Sequence, residues 1–408
     1  MATRRMFMVG AASAALTGPT LLRESLAAGG LTLDPSLPAG TREEAVWEAL
    51  PGKRPLIKLS YRPPNYETPL HVFNELYTPN DAFFVRYHLA DIPEVDAAAW
   101  RLSIGGDAAT KPYELTLDAL KRDFTPVEVT AVCQCSGNRR GLFQPHVAGV
   151  QWGYGAMGNA RWRGARLKDI LERAGLAKEA LELSFNGADG PVIEKTPDFV
   201  KSLPTWKALD PDTLVAYEMN GEPLPHLNGF PARVVVPGWT GTYWVKHVTR
   251  IEARTRPEDN FWMRSAYRIP TGRFPVVQRF TSQETAANTP ITEMVVNSVI
   301  TAPAEADRVG RGQPLTVKGV AWDGGYGIAA VEVSADGGQT WRRATLGPDA
   351  GRYSFRPWTF AVTPDAAGPL TLMARAANAA GQGQTQALIQ NPAGYNHNLM
   401  HAVTVAVA

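Results

Sequence analysis

The sequence predicts an α+β protein of two domains, a mixed α/β domain followed by an immunoglobulin-like β-sandwich. Three observations lead there. At 408 residues the chain is long enough for two hydrophobic cores. Up to about residue 281, helical and strand periodicities are intermixed. From about residue 282, short alternating runs follow one another between turn residues with no helical pattern. The expected organisation is a leader over residues 1–30, the mixed domain over 31–281 and the sandwich over 282–408.

The leader, "MATRRMFMVGAASAALTGPTLLRESLAAGG", pairs Arg4-Arg5 with an apolar run and the small-x-small site Ser25-Leu26-Ala27. This reads as a twin-arginine export signal and gives a periplasmic address. Such export carries folded proteins, which hints at a cofactor inserted beforehand. The rest holds no run apolar enough to cross a membrane, so no span is expected in the mature protein. Without residues 1–28, 38 basic residues face 38 acidic ones, and that balance argues against a nucleic-acid partner.

Residues 31–80, rich in proline, read as an extended arm with little regular structure. "DAFFVRYHLADIP", Asp81 to Pro93, reads as a strand entering a turn. "PVEVTAVCQC" alternates, placing Cys133 and Cys135 on one strand face near its end. In "RLKDILERAG", Leu167, Ile170, Leu171 and Ala174 fall at helical spacing and Gly175 is the stop. "ARVVVPG", Ala232 to Gly238, is a short strand buried on both faces. In the sandwich, "LTVKGVAW", "AAVEVSADGGQTWRRATL", "YSFRPWTFAV", "LTLMARAAN" and "HAVTVAV" are strands. Asp336-Gly337-Gly338 is a hairpin turn, and Trp322, Trp341 and Trp358 are expected in the core.

The chain has two cysteines, both within "TAVCQCSGNRRG". Two thiols with no partner set cannot make a structural zinc site, and no C-x-x-C-H haem motif is present. A disulfide two residues long is geometrically awkward. By residue type alone, either cysteine could be a small buried hydrophobe. Arg86 stands among Phe83, Phe84, Val85 and Tyr87, an apolar setting unlike that of a solvated charge. Lys246 in "YWVKHV" could equally be an edge-strand charge, and His88 a structural histidine.

Taken together, "CSGNRRG", "GYGAMGNARWRGARLKDIL", "FNGAD", "LVAYEMNGEPLP", "GFPARVVVPGWTGTYWVK" and "GVAWDGGYGIAAVEVSADGGQTW" resemble the sulfite oxidase family of molybdenum enzymes. The export signal and the missing haem segment make the chain similar to the molybdenum subunit of periplasmic bacterial sulfite dehydrogenases, the sulfite:cytochrome c oxidoreductases. The resemblance implies a molybdopterin-binding first domain and a dimerisation-type sandwich. It makes Cys135 the molybdenum ligand, with a pterin dithiolene supplying the remaining sulfur, and leaves Cys133 without a family role. It places Phe84, Val85, Arg86, Tyr87 and His88 around the pterin and the pocket. Arg86 would meet the anion, helped by Arg140 and Tyr267, and His88 would lie beside the cofactor. Asp189 would contact the cofactor, and Arg233 and Lys246 would grip its phosphate. Asn228 stands where many relatives carry histidine, which puts that contact in question.

The function so implied is oxidation of sulfite to sulfate by oxygen-atom transfer, with electrons passed to a c-type cytochrome, either a partner subunit or a soluble acceptor. The chain itself is expected to carry no haem. A periplasmic molybdenum-dependent sulfoxide reductase is the alternative; the sandwich counts against it, since such relatives usually lack one. A non-catalytic binding protein would leave the cysteine motif unexplained.

Overall fold

The computed structural model describes residues 45–274 and 287–408; the leader and the expected domain boundary near residue 282 lie outside the described residues. The stretch read as an irregular arm is built differently. Its described part forms an antiparallel ladder of Trp47–Glu48, Leu56–Ser60, Asn65–Glu67 and Val85–Arg86. Pro63 and Pro64 fall in the turn between the second and third strands, where a missing N–H breaks no ladder bond. Leu56 and Tyr66 are fully buried there with Val85, Tyr87 and Leu227. The strand expected over Asp81 to Pro93 shrinks to Val85–Arg86.

Two larger sheets frame the first domain. One runs Lys201–Pro204, Glu182–Gly187, Val248–Arg254, Arg101–Gly105, Tyr113–Thr116, with one parallel pair between Val248–Arg254 and Arg101–Gly105. The other runs Glu222–Pro223, Leu214–Met219, Met157–Arg166, Pro126–Gln134, and Arg233–Val235 also pairs with Leu214–Met219. Pro126–Gln134 follows Met157–Arg166 antiparallel from Pro126 against Ala165 to Gln134 against Met157. This strand carries Cys133 and stops one residue short of Cys135. The expected helix spans Leu167–Ala174 and buries Leu167, Ile170, Leu171 and Ala174. Gly175, at φ 65°, ends it in a conformation costly for residues with a Cβ.

The second domain is the expected sandwich. Asn297–Ala302, Leu315–Trp322, Arg356–Val362 and Thr345–Leu346 form one sheet. Arg308–Val309, His401–Val407, Gly368–Asn378, Ile328–Ser334 and Arg342–Arg343 form the other. The Asp336-Gly337-Gly338 turn joins the last two strands. Trp358 lies in the core between the sheets. Two tryptophans depart from expectation. Trp341 is half-buried, with the Arg375 guanidinium 4.2 Å over its ring. Trp322 is buried against the first domain, in a cluster of Phe73, Val132 and Met157 with Met294, Val299, Val320 and Phe355. Its indole N–H donates to Gln134 Oε1 at 2.6 Å. Among the described residues no helix is long and apolar enough to cross a membrane.

Candidate active site

The site lies where the end of strand Pro126–Gln134 meets the segment Phe83 to His88 and the loop after Arg233–Val235. Beyond Gln134 the chain turns tightly. Cys135 donates its N–H to Ala156 O at 2.9 Å and accepts from the Asn138 N–H at 2.9 Å. The turn leaves the Cys135 side chain against a cleft of about 650 Å³, its solvent-open mouth included. Of the sequence-nominated residues, Phe84, Arg86, Tyr87, His88, Cys135, Asp189, Asn228, Arg233, Lys246 and Tyr267 line this cleft.

Three cations dominate it. The Arg86 guanidinium donates to the Tyr267 hydroxyl at 3.2 Å and also touches Tyr87 O. Burial works against its charge, but Tyr267 and Cys135 outweigh that and raise its pKa further. Arg233 spends two N–H groups on Asn228 O and Trp244 O, both at 2.9 Å, and lies 5.1 Å over the Trp162 ring. Its Nε is buried without a hydrogen-bond partner. Lys246 donates to Arg86 O at 2.7 Å and rests 2.9 Å above the Tyr87 ring. Burial, then Arg233, push its pKa well down. Against three cations stands one carboxyl in the lining, Asp189, whose pKa burial raises to about 6.

His88 and Tyr267 form the other wall. They share a short hydrogen bond between His88 Nε2 and the Tyr267 hydroxyl. The imidazole stacks on Phe199 with ring centroids 3.6 Å apart. Burial, then Arg86, push its pKa well down, so the ring is neutral. Because Arg86 donates to the Tyr267 oxygen, the phenolic proton is left for His88 or for an incoming anion. Burial also raises the Tyr267 pKa, so that proton stays on the phenol.

Three nominated residues sit differently. Val85 points away from the cleft into the small core with Leu56 and Tyr66, as strand alternation requires. Arg140 does not line the cleft; it donates to Ala393 O at 2.9 Å and Val150 O at 3.2 Å, behind Tyr267. Asn228 lines the cleft, but its amide is occupied. Its Oδ1 accepts from Lys53 Nζ at 2.5 Å and its Nδ2 donates to Phe84 O at 3.2 Å. Lys53, from the stretch read as an arm, is buried enough that its pKa falls to about 7.

Sequence reasoning missed several lining groups. Cys133 lies in the cleft with its Sγ 3.9 Å from Arg233. Burial pushes its thiol up to about 11, which keeps it protonated. Thr242 also lines the cleft, its hydroxyl buried and without a partner. The quoted "GFPARVVVPGWTGTYWVK" contains that threonine, and its hydroxyl was the available signal.

A molybdenum–pterin group fits these residues. A soft thiolate ligand, three buried cations with a single neighbouring carboxyl, and two orphaned donors suit a metal carried on a phosphorylated ligand. A phosphate would supply the missing negative charge, with Arg233, Lys246 and Thr242 placed to hold it.

The family described as oxidoreductase molybdopterin binding domain matches residues 88–262, and that described as Mo-co oxidoreductase dimerisation domain matches residues 288–408. Fold and site thus define a molybdopterin oxidoreductase with a C-terminal dimerisation domain. Human mitochondrial sulfite oxidase is 37% identical over 374 residues, covering 88% of this chain and 67% of that protein. Chicken sulfite oxidase is 36% identical over 340 residues, covering 80% and 72%. The chain belongs to the sulfite oxidase family. Rice NADH nitrate reductase 1 is also similar, 34% identical over 321 residues, though only 34% of its length is covered. Among solved structures, the sulfane dehydrogenase SoxCD of Paracoccus pantotrophus superposes with a TM-score of 0.74 at 27% identity, over 93% of this chain and 96% of that one.

Proposed function

We propose that this chain oxidises sulfite to sulfate and passes the electrons to a c-type cytochrome, acting in the periplasm after twin-arginine export. The balance is sulfite plus water giving sulfate, two protons and two electrons. The observation that carries the reading is the group around Cys135. A charged Arg86, a protonated Tyr267 and a neutral His88 converge beside a thiol able to hold a metal.

When bound through Cys135, the molybdenum–pterin group supplies oxygen-atom transfer and two-electron redox chemistry. The chain's own residues prepare for it. Arg233 and Lys246 hold the phosphate end, while Phe84 and Tyr87 shape the walls. Arg86 neutralises the incoming oxyanion, an attraction strengthened by burial. Tyr267 turns its O–H from His88 to a substrate oxygen, and His88, held neutral, adds no positive charge and keeps a ring nitrogen free to accept a hydrogen bond. The mixed aromatic wall of Phe199, Trp262 and Tyr267 excludes water from that side.

The cytochrome assignment is supported by the sequence, which offers no haem motif or iron–sulfur cysteine set for the electrons, and whose G-x-G-x-x-G run, Gly153 to Gly158, leads into the strand Met157–Arg166 where a dinucleotide site needs a helix. Purified protein should contain molybdenum and pterin and should reduce cytochrome c in a sulfite-dependent way. Methionine sulfoxide reduction with a viologen donor, in place of sulfite oxidation, would select the sulfoxide reductase reading. Protein free of molybdenum after expression in a cofactor-competent host would remove both.

A further inference from the structure

The C-terminal domain sends one loop, around Asn391 to Tyr395, to the back of the active site. It is fixed from both sides. The Asn391 side chain donates to Tyr395 O at 2.9 Å and accepts from the Tyr395 N–H at 3.0 Å. Arg140 donates to Ala393 O at 2.9 Å, tying the loop to the cysteine motif. Gly394, at φ 61°, lies so close that a Cβ there would fall 2.8 Å from the Arg140 side chain.

This fixed loop presents Tyr395. Its ring lies parallel to that of Tyr267, with centroids 5.6 Å apart and planes 7° from coincidence. The Arg140 guanidinium lies 5.2 Å over the same ring. The residue is 8% exposed, yet its hydroxyl makes no hydrogen bond to any described residue. Its phenol is held protonated, chiefly by burial and then by Tyr267, with Arg140, Cys135 and Arg86 all close enough to act on it. The stack and the loop fix the ring, while the hydroxyl itself is not sealed from solvent and can take a ligand as its partner. Tyr267, on which it stacks, lines the cleft where the anion is received, and Tyr395 and Arg140 stand directly behind it.

We propose that Tyr395 is a substrate-positioning residue, its hydroxyl donating to the sulfur oxyanion beside that of Tyr267. The proposal rests on the sulfur-oxyanion reading above and assigns the sandwich a share of the substrate site. Arg140 acts on the anion through Tyr395, holding the ring flat and adding positive potential behind it.

The test is Tyr395→Phe in the holoenzyme, which keeps the stack and removes only the hydroxyl. Losing one hydrogen bond to a charged ligand should raise KM for sulfite about 10- to 150-fold. The kcat should stay within about threefold, because uniform binding is what is lost. Sulfate, titrated calorimetrically into the holoenzyme, should bind more weakly by the same factor. Molybdenum content and melting temperature should match the parent, while Tyr395→Leu, which also removes the stack, should lower kcat as well. Unchanged KM and sulfate affinity in Tyr395→Phe would overturn the proposal and leave sulfite oxidation standing. Weaker sulfate binding by Tyr395→Phe than by a parent that does not turn over sulfite would retain the contact and remove the reaction. A parent that neither binds sulfate nor oxidises sulfite would remove both.

Discussion

Replacing Lys246 with methionine should stabilise the cofactor-free protein and weaken the cofactor complex. The ammonium is buried, makes one hydrogen bond to Arg86 O, and forms no ion pair with a described residue. Its pKa is pushed down by burial and then by Arg233. A base with a depressed folded-state pKa binds fewer protons folded than unfolded. The parent therefore gains stability as pH rises through the lowered pKa toward the ordinary lysine value of about 10.4. Methionine is similar in length and carries no charge to bury. At neutral pH the cofactor-free variant should gain about 1–4 kcal/mol, enough to raise the melting temperature by several degrees. That gain should shrink as pH rises, since the parent lysine then sheds its proton. With a phosphorylated cofactor the sign reverses. Losing one charge-assisted contact of about 1.5–3 kcal/mol should weaken retention by about 10- to 150-fold. Both effects can be read on protein made in a host unable to synthesise the cofactor, by calorimetric unfolding from pH 6 to 9 and by pterin fluorescence after reconstitution. A variant that melts lower than the parent without cofactor, yet loads normally, would refute the idea that this charge is reserved for an anion.

Cys135→Ser should abolish turnover, whereas Cys133→Ser should keep most of it, since the Cys133 thiol is held protonated beside Arg233; molybdenum content and sulfite-dependent cytochrome reduction measure both. Arg86→Met should lower kcat/KM by about 10- to 150-fold with metal content unchanged, the loss of one charge-assisted contact to the anion. Trp322→Phe would leave Gln134 Oε1 unpaired between the domains. It should cost about 1–3 kcal/mol, read as a lower melting temperature in cofactor-replete protein, with KM for sulfite unaltered.

Periodicity revealed those elements whose stabilising contacts are near in sequence. The Leu167–Ala174 helix shows its buried face every three or four residues, and the sandwich strands alternate between turns. The arm over 45–80 hid because its strands are two to five residues long, too short to show a period, and proline-rich turns separate them. Alternation gives the side a residue faces but not what lies opposite. Trp322 therefore read as sandwich core, although the face it occupies is covered by the first domain. The site divides in the same way. Most lining residues could be placed because the resemblance quotes them motif by motif. The Lys53 contact with Asn228, 175 residues away, and that of Arg140 with Ala393, 253 away, leave no local trace.

The arginine pair of the cysteine motif ties catalysis to the second domain. Arg139 takes a left-handed backbone at φ 69° and buries its guanidinium against Asn297 Oδ1 at 2.5 Å and Leu399 O at 3.1 Å. Arg140 turns the other way, to Ala393 O. These three acceptors belong to the sandwich, Arg140 keeping one first-domain acceptor at Val150 O, and no described carboxylate pairs with either arginine. Buried guanidinium groups without such acceptors would each cost several kcal/mol. The turn that presents Cys135 therefore depends on a domain more than 150 residues away, since Arg139 and Asn297 are 158 apart. A first domain folding alone would have to hydrate the Arg139 guanidinium and part of that of Arg140, which would loosen the turn that presents the thiol. This dependence gives a physical reason why the sandwich and the cysteine motif occur together here.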